Sequence, residues 1–190
     1  MGKIPSRIFL DTSVINFIVE HAELIFDGYY HDDNLNVRVR MDIFALYQIF
    51  EIARRNPIEI VVSKTNFEEI LRTNDREKRS NLLSYCTEIW HYFKSSTKQE
   101  FEISEKDLKL AEGFLKEKDF LKITDQNDRR LLLESLYFKC DHFCTRDWRT
   151  ILKHRELVTQ IPIKIITPWE WWEKIEGVID APNKEFEVIA

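Results

Sequence analysis

A chain of 190 residues with 44% hydrophobic and 13% aromatic side chains can build one domain with its own core, and is short for two. Gly (4) and Pro (5) are scarce, which argues against a long disordered tract, and no apolar run reaches the roughly 20 residues that span a bilayer. The net charge of −5 speaks against a plain phosphate-binding surface, although a cation held by the protein can supply positive charge locally.

Arg7-Ile8-Phe9-Leu10 is a short apolar run that ends in Asp11, and a helix-like segment follows from Val14 to Glu20. Short runs without strict alternation suit strands buried on both faces, as in parallel sheets. The residues before Arg7 lack the apolar core of a secretory leader, so a cytoplasmic location is expected. His21 to Arg40 is polar and aromatic and reads as a loop or irregular insertion. Met41 to Arg55 returns to helical spacing, with Ile43, Leu46, Tyr47 and Phe50 on one face, and Asn56-Pro57 stops it.

Ile58 to Val62 is a second strand-like run, and Ser63 to Thr73 a helix. Longer helices are expected over Glu77–Phe93, Glu105–Lys118 and Thr124–Lys139. His142 to Thr145 reads as a third strand, Trp148 to His154 as a short helix, and Ile163 to Ile166 as a fourth strand. Pro168 opens a last helix that runs to Glu176, since proline suits the first turn. Strands alternating with helices call for parallel βαβ units, so the expected class is α/β, with helices on both faces of a short parallel sheet. The expected organisation is a single domain over 1–190, with an insertion at 21–56 and extra helices at 77–118.

Cys86, Cys140 and Cys144 form no disulfide framework and read as reduced structural thiols. Cys140, His142 and Cys144 lack the paired spacing of a zinc site.

The chemistry is concentrated in acids near strand ends. In an open parallel sheet the strands that feed helices deliver their carboxyl ends to one edge, where ligands bind. Asp11 follows the first strand, Glu69 lies six residues past Ser63, and Asp147 follows Phe143-Cys144-Thr145. Asp128 opens the Thr124–Lys139 helix on the face shared with Leu131, Leu132 and Ser135. Each acid has a bland alternative. Asp11 and Asp147 are candidate N-caps, Asp125 can cap the long helix, and Thr65 with Glu68 fits a capping box that leaves Glu69 unexplained. Capping does not require all four acids to converge. Converging carboxylates repel unless some take up protons or a dication joins them, and an all-oxygen set selects Mg²⁺ or Mn²⁺. Such ions promote phosphodiester hydrolysis.

Phe9-Leu10-Asp11-Thr12-Ser13 resembles the first motif of the PIN-domain nucleases. Ser63 with Glu69-Ile70-Leu71 resembles their second, and Asp128 through Phe143-Cys144-Thr145-Arg146-Asp147 their third and fourth. Ile165-Ile166-Thr167-Pro168 is similar to the family's closing strand-to-helix step. The resemblance implies a three-layer α/β/α domain, Mg²⁺- or Mn²⁺-dependent cleavage of single-stranded RNA, and frequent homodimers. It implies Asp11, Glu69, Asp128 and Asp147 as catalytic metal ligands, with Thr12, Ser13, Asn16 and Thr145 hydrogen-bonding around them. Many small members are VapC-type toxins silenced by an antitoxin. The long gap from Asp11 to Glu69 departs from that compact pattern and bears on the toxin role more than on the fold.

Arg146, next to Asp147, is the leading candidate for an RNA-phosphate contact, ahead of Arg129, Arg130 and Arg149. Trp169, Trp171 and Trp172 read as packing or a dimer contact rather than a base platform. Two other readings compete with the nuclease. One is a catalytically inactive PIN-like module that binds RNA or protein. The other is a haloacid-dehalogenase-like phosphatase, which needs a second Asp two residues after the first, where this chain has Ser13.

Overall fold

The structure, a computed structural model, describes residues 7–28, 34–55, 58–97, 105–106, 109, 120–157 and 161–177. Four short strands, β1 (Arg7–Leu10), β2 (Glu59–Val61), β3 (His142–Cys144) and β4 (Lys164–Ile166), form one all-parallel sheet in the order β2-β1-β3-β4. Ile8 sits opposite Ile60 and His142, Phe9 opposite Val61 and Phe143, and Phe143 opposite Ile165. The chain steps outward from β1 to β2, returns across β1 to β3, and steps outward again to β4. The direction of winding therefore reverses between β1 and β3, and in open parallel sheets ligands bind at the carboxyl ends of the strands where such a reversal falls.

Seven α-helices are present among the described residues: α1 (Thr12–Glu20), α2 (Ala22–Phe26), α3 (Val37–Ala53), α4 (Lys64–Leu71), α5 (Arg76–Thr97), α6 (Gln126–Tyr137) and α7 (Pro168–Glu176). Strand side chains alternate between faces and so feed two cores. Ile8, Leu10, Ile60, Cys144 and Ile166 pack with Val14, Leu46, Leu82 and Trp171 from α1, α3, α5 and α7. Phe9, Val61 and Phe143 pack on the other face with Leu131, Leu132 and Leu133 of α6. Phe9 stacks on Phe143 with ring centroids 5.6 Å apart. The arrangement is α/β and compatible with three α/β/α layers.

Several boundaries differ from those read in sequence. Within the stretch expected to be irregular, α2 buries Leu24 and Ile25, and α3 begins at Val37 rather than Met41. Asn36 caps α3 by accepting the Arg38 N–H at 2.9 Å, so the first turn forms although its alternating Val and Arg residues disguise the helical period. The helix expected over Trp148–His154 is instead a turn followed by a 3₁₀ segment, Leu152–Leu157. The Glu105–Lys118 helix lies outside the described residues except for Glu105, Lys106 and Lys109. Asn56 and Pro57 also lie outside them; α3 ends at Ala53.

The tryptophan cluster packs inward as expected: Trp171 and Trp172 are buried, and Trp169 packs against the same core. All three cysteines are free and buried. Cys140 and Cys144 belong to cores on opposite faces of the sheet and do not share a zinc site. Among the described residues, no helix is long and apolar enough to cross a membrane.

Candidate functional site

Asp11 leaves β1 at the reversal point, and its backbone extends the sheet by donating to the Cys144 carbonyl at 3.0 Å. It occupies the N-cap position of α1, yet its side chain makes no capping bond. Its Oδ2 instead accepts from the Ser13 hydroxyl and, at 2.6 Å, from the Thr145 hydroxyl. Both hydroxyls have their own lone pairs engaged. Ser13 Oγ accepts the Arg146 N–H at 3.0 Å, and Thr145 Oγ1 accepts the Asp147 N–H at 3.0 Å. A hydroxyl has one hydrogen, so each is left to aim it at Asp11. The start of α1 is thereby tied to the end of β3.

The same device serves Glu69. Buried Asn66 donates to the Leu10 carbonyl and to Thr12 Oγ1, both at 3.1 Å, and Thr12 then donates to Glu69 Oε2 at 2.5 Å. Asn66 also caps α4 by accepting the Ser63 N–H at 2.8 Å. The capping box thus pairs Ser63 with Asn66 rather than Thr65 with Glu68. The expected pair failed because the helix starts two residues earlier, at Lys64, which moves the third helical position, the one that caps back, from Glu68 to Asn66. Thr65 is used differently: it and Ser63 donate to Glu134, a buried acid on α6 that also accepts from Arg130 Nε at 3.2 Å. Glu134 therefore fixes α6, the carrier of Asp128, against α4, the carrier of Glu69.

Asp128 and Asp147 meet at Thr150. Its hydroxyl lies 2.7 Å from Asp128 Oδ2 and also contacts Asp147 Oδ2. One hydrogen cannot serve two carboxylates, so the contact is relieved when one acid carries a proton or a cation joins them. The Asp147 Oδ1 atom caps the following turn by accepting the Arg149 and Thr150 N–H groups at 2.8 and 2.9 Å. Capping and clustering are both true of Asp147, one for each oxygen. Asp125 is the cap of α6, accepting from Asn127 N at 2.7 Å, which leaves Asp128 for the cluster.

Burial raises the proton affinity of the acids first, and their mutual charge adds to it. Asp11, fully enclosed, is raised, with Asp147 contributing; Ser13 and Thr145 oppose the rise. Glu69 is pushed up to about 7 by burial, and the charges of Asp11, Asp128 and Asp125 push the same way. Asp128 is pushed up to about 6, again by burial first, with Asp11, Asp125 and Asp147 adding repulsion. Acids from four separate chain segments therefore sense one another along one edge of the sheet.

The donor set is all oxygen and carries the charge that a hard dication neutralises, so its chemistry fits Mg²⁺ or Mn²⁺. The side chains as they lie are a different matter. Among the described residues, no group of three or more His, Cys, Asp and Glu is arranged to hold a metal ion. Hydroxyl hydrogens are directed at carboxylate oxygens that a cation would need.

Thr12, Ser13 and Thr145 all hydrogen-bond the acids, whereas Asn16 is half-buried on α1 and makes no side-chain hydrogen bond among the described residues. Arg146 is already committed: its Nε pairs with Asp42 at 2.8 Å, and its guanidinium lies 3.5 Å from the Phe17 ring centroid. Arg129 donates to the Ile123 and Thr124 carbonyls, and Arg130 pairs with Glu134 and Glu68. Asn66, Asp42, Glu134 and Thr150 were not singled out from sequence. Asp42 and Glu134 do carry a signal, since each is a charged residue on the apolar face of an amphipathic helix. A groove of about 880 Å³ runs along β4, lined by residues such as Arg155, Ile163, Lys164 and Glu170, and none of the four acids lines it. No protein-family model, curated protein or solved structure matches the chain.

Proposed function

We propose that this chain is a metal-dependent endoribonuclease of PIN-domain type, hydrolysing phosphodiester bonds of single-stranded RNA. The observation that carries the proposal is the hydrogen-bonded chain along the ends of β1 and β3: Thr145 donates to Asp11, Thr12 next to Asp11 donates to Glu69, and Thr150 contacts both Asp128 and Asp147. Caps or solvated charges have no need to converge there, and burial of such acids costs stability unless function repays it. Asp11, Glu69, Asp128 and Asp147 are the residues that would hold Mg²⁺ or Mn²⁺. The ion supplies positive charge against the charge that develops on a phosphodiester as it is cleaved. Thr12, Ser13 and Thr145 keep Glu69 and Asp11 in place by directing their hydroxyl hydrogens at them. Thr150 lies between Asp128 and Asp147 and gives its one hydrogen to either of them.

The test is cleavage of single-stranded RNA with Mg²⁺ or Mn²⁺ by the wild type, Asp11→Asn and Asp128→Asn. The wild type is expected to cut and both variants to lose at least about a hundredfold in rate, the scale seen when one group that stabilises developing charge is removed. Equal cutting by all three places the activity elsewhere. A second reading, a PIN-like module that binds RNA or protein without cutting, is favoured by the absence of any ready-made metal-holding group among the described residues. Binding without metal-dependent cleavage is its signature. An antitoxin or other regulator and a homodimer are partners that the same family reading brings with it.

A further inference from the structure

We infer that Trp148, with Arg38 stacked on it, is a platform for an unpaired nucleobase of the strand held at the acidic edge; the inference rests on the proposed nuclease reading. Trp148 directly follows Asp147 and is 43% exposed, one of four large hydrophobic residues left exposed among those described. The other four tryptophans, Trp90, Trp169, Trp171 and Trp172, pack inward. Trp148 is held in place by its backbone, whose N–H donates to the Arg146 carbonyl at 3.0 Å in the turn that Asp147 caps. Its position relative to Asp147 is therefore set by main-chain geometry.

The guanidinium of Arg38 lies 4.0 Å from the centroid of the Trp148 ring. Arg38 comes from the first turn of α3, the turn capped by Asn36, so the start of α3 is what brings a cation to this ring. Arg149, on the other side of Trp148 in sequence, is exposed as well. Arg146 is different, being neutralised by Asp42. The result is an exposed indole with the Arg38 guanidinium stacked on it, next in sequence to a candidate metal ligand.

A surface of this composition suits one occupant. Stacking needs a flat π face, which every unpaired base offers and a duplex hides, and the Arg38 guanidinium suits a phosphate next to that base. A protein partner would have an apolar patch to cover, but Trp148 is a single ring set among charges. The net charge of −5 makes local cations more informative, because the strand cannot rely on a generally basic surface.

The experiment measures binding of a short, fluorophore-labelled single-stranded oligouridylate, with Ca²⁺ replacing Mg²⁺ to suppress turnover. An abasic ribose-phosphate strand of equal length and the corresponding duplex are the comparison ligands. The wild type should bind the intact strand about thirtyfold more tightly than the abasic one, the middle of the range for one base on one aromatic ring. Trp148→Ala should bring the intact strand down to the abasic level, and Trp148→Phe should keep part of the difference. Arg38→Ala should weaken both strands alike and reduce the salt dependence. The platform is overturned if Trp148→Ala keeps the wild-type ratio, if the wild type does not distinguish the strands, or if the duplex binds as well as the single strand. Failure of the nuclease reading looks different: the base-dependent ratio is present, while Mg²⁺ or Mn²⁺ produces no cleavage.

Discussion

Replacing Glu69 by Gln should make the metal-free protein more stable at slightly alkaline pH while removing part of its response to metal. Glu69 accepts from Thr12, and glutamine keeps an oxygen for that bond, so the perturbation is chiefly the loss of charge. Burial, aided by Asp11, Asp128 and Asp125, raises Glu69 from 4.5 to about 7 in the folded chain. Such an acid opposes folding once it must ionise. The penalty is absent below about pH 4.5, grows between there and about pH 7, and is complete above it. The rise is worth roughly 3 kcal/mol at ~1.4 kcal/mol for each factor of ten, and solvent screening of this half-buried side chain reduces it to about 1–1.5 kcal/mol. For a chain of this length that corresponds to about 3–5 °C in Tm. Thermal unfolding in EDTA should therefore show E69Q above wild type at about pH 8 and level with it near pH 4.5. Added Mn²⁺ should then raise the wild type more than E69Q at the higher pH, because the ion binds the ionised acids of the folded chain. Two results would refute the reasoning. One is a loss of stability in E69Q of equal size at both pH values, which makes Glu69 an ordinary structural acceptor. The other is equal stabilisation of both proteins by Mn²⁺.

Two further outcomes separate structural acids from the candidate ligands. Asp125→Ala should cost about 1 kcal/mol in urea unfolding through loss of the α6 cap, while metal-dependent cleavage persists. A loss of cleavage as complete as in Asp128→Asn would make Asp125 a ligand. Asp42→Ala leaves Arg146 without its buried partner and should cost about 3 kcal/mol by the same measurement. A cost below ~0.5 kcal/mol, as for an exposed ion pair, would show that Arg146 finds other company.

The acids were legible for a reason that can be stated residue by residue. Asp11 and Asp147 follow apolar runs, and in a parallel sheet the carboxyl ends of the strands share an edge, so sequence order implies proximity. Asp128 was legible from helical phase, lying three and four positions before Leu131 and Leu132, which the core of α6 buries. Thr65 and Glu68 misled because a capping box depends on where the helix begins, and Lys64 rather than a later residue starts α4. The pairing of Arg146 with Asp42 was not legible, because adjacency to Asp147 says nothing about which acid a side chain meets in the fold. The helix expected at Trp148 is a turn even though Asp147 accepts the Arg149 and Thr150 N–H groups as an N-cap would; the Leu152 N–H reaches back five residues to the Asp147 carbonyl at 2.8 Å, outside the i→i−4 ladder of an α-helix.

By itself the sequence determined the α/β class, since apolar runs alternating with helical periods can bury themselves only as parallel strands covered by helices. It also determined which acids stand at strand ends and helix openings. Tertiary structure alone decided what each acid faces. The bonds from Thr145 to Asp11, from Arg146 to Asp42 and from Ser63 to Glu134 join residues 134, 104 and 71 positions apart. Hydrogen bonds act over about 3 Å, so such pairs exist only where packing delivers both groups to one place. Local pattern records the period of a strand or helix, and it carries no register between distant ones.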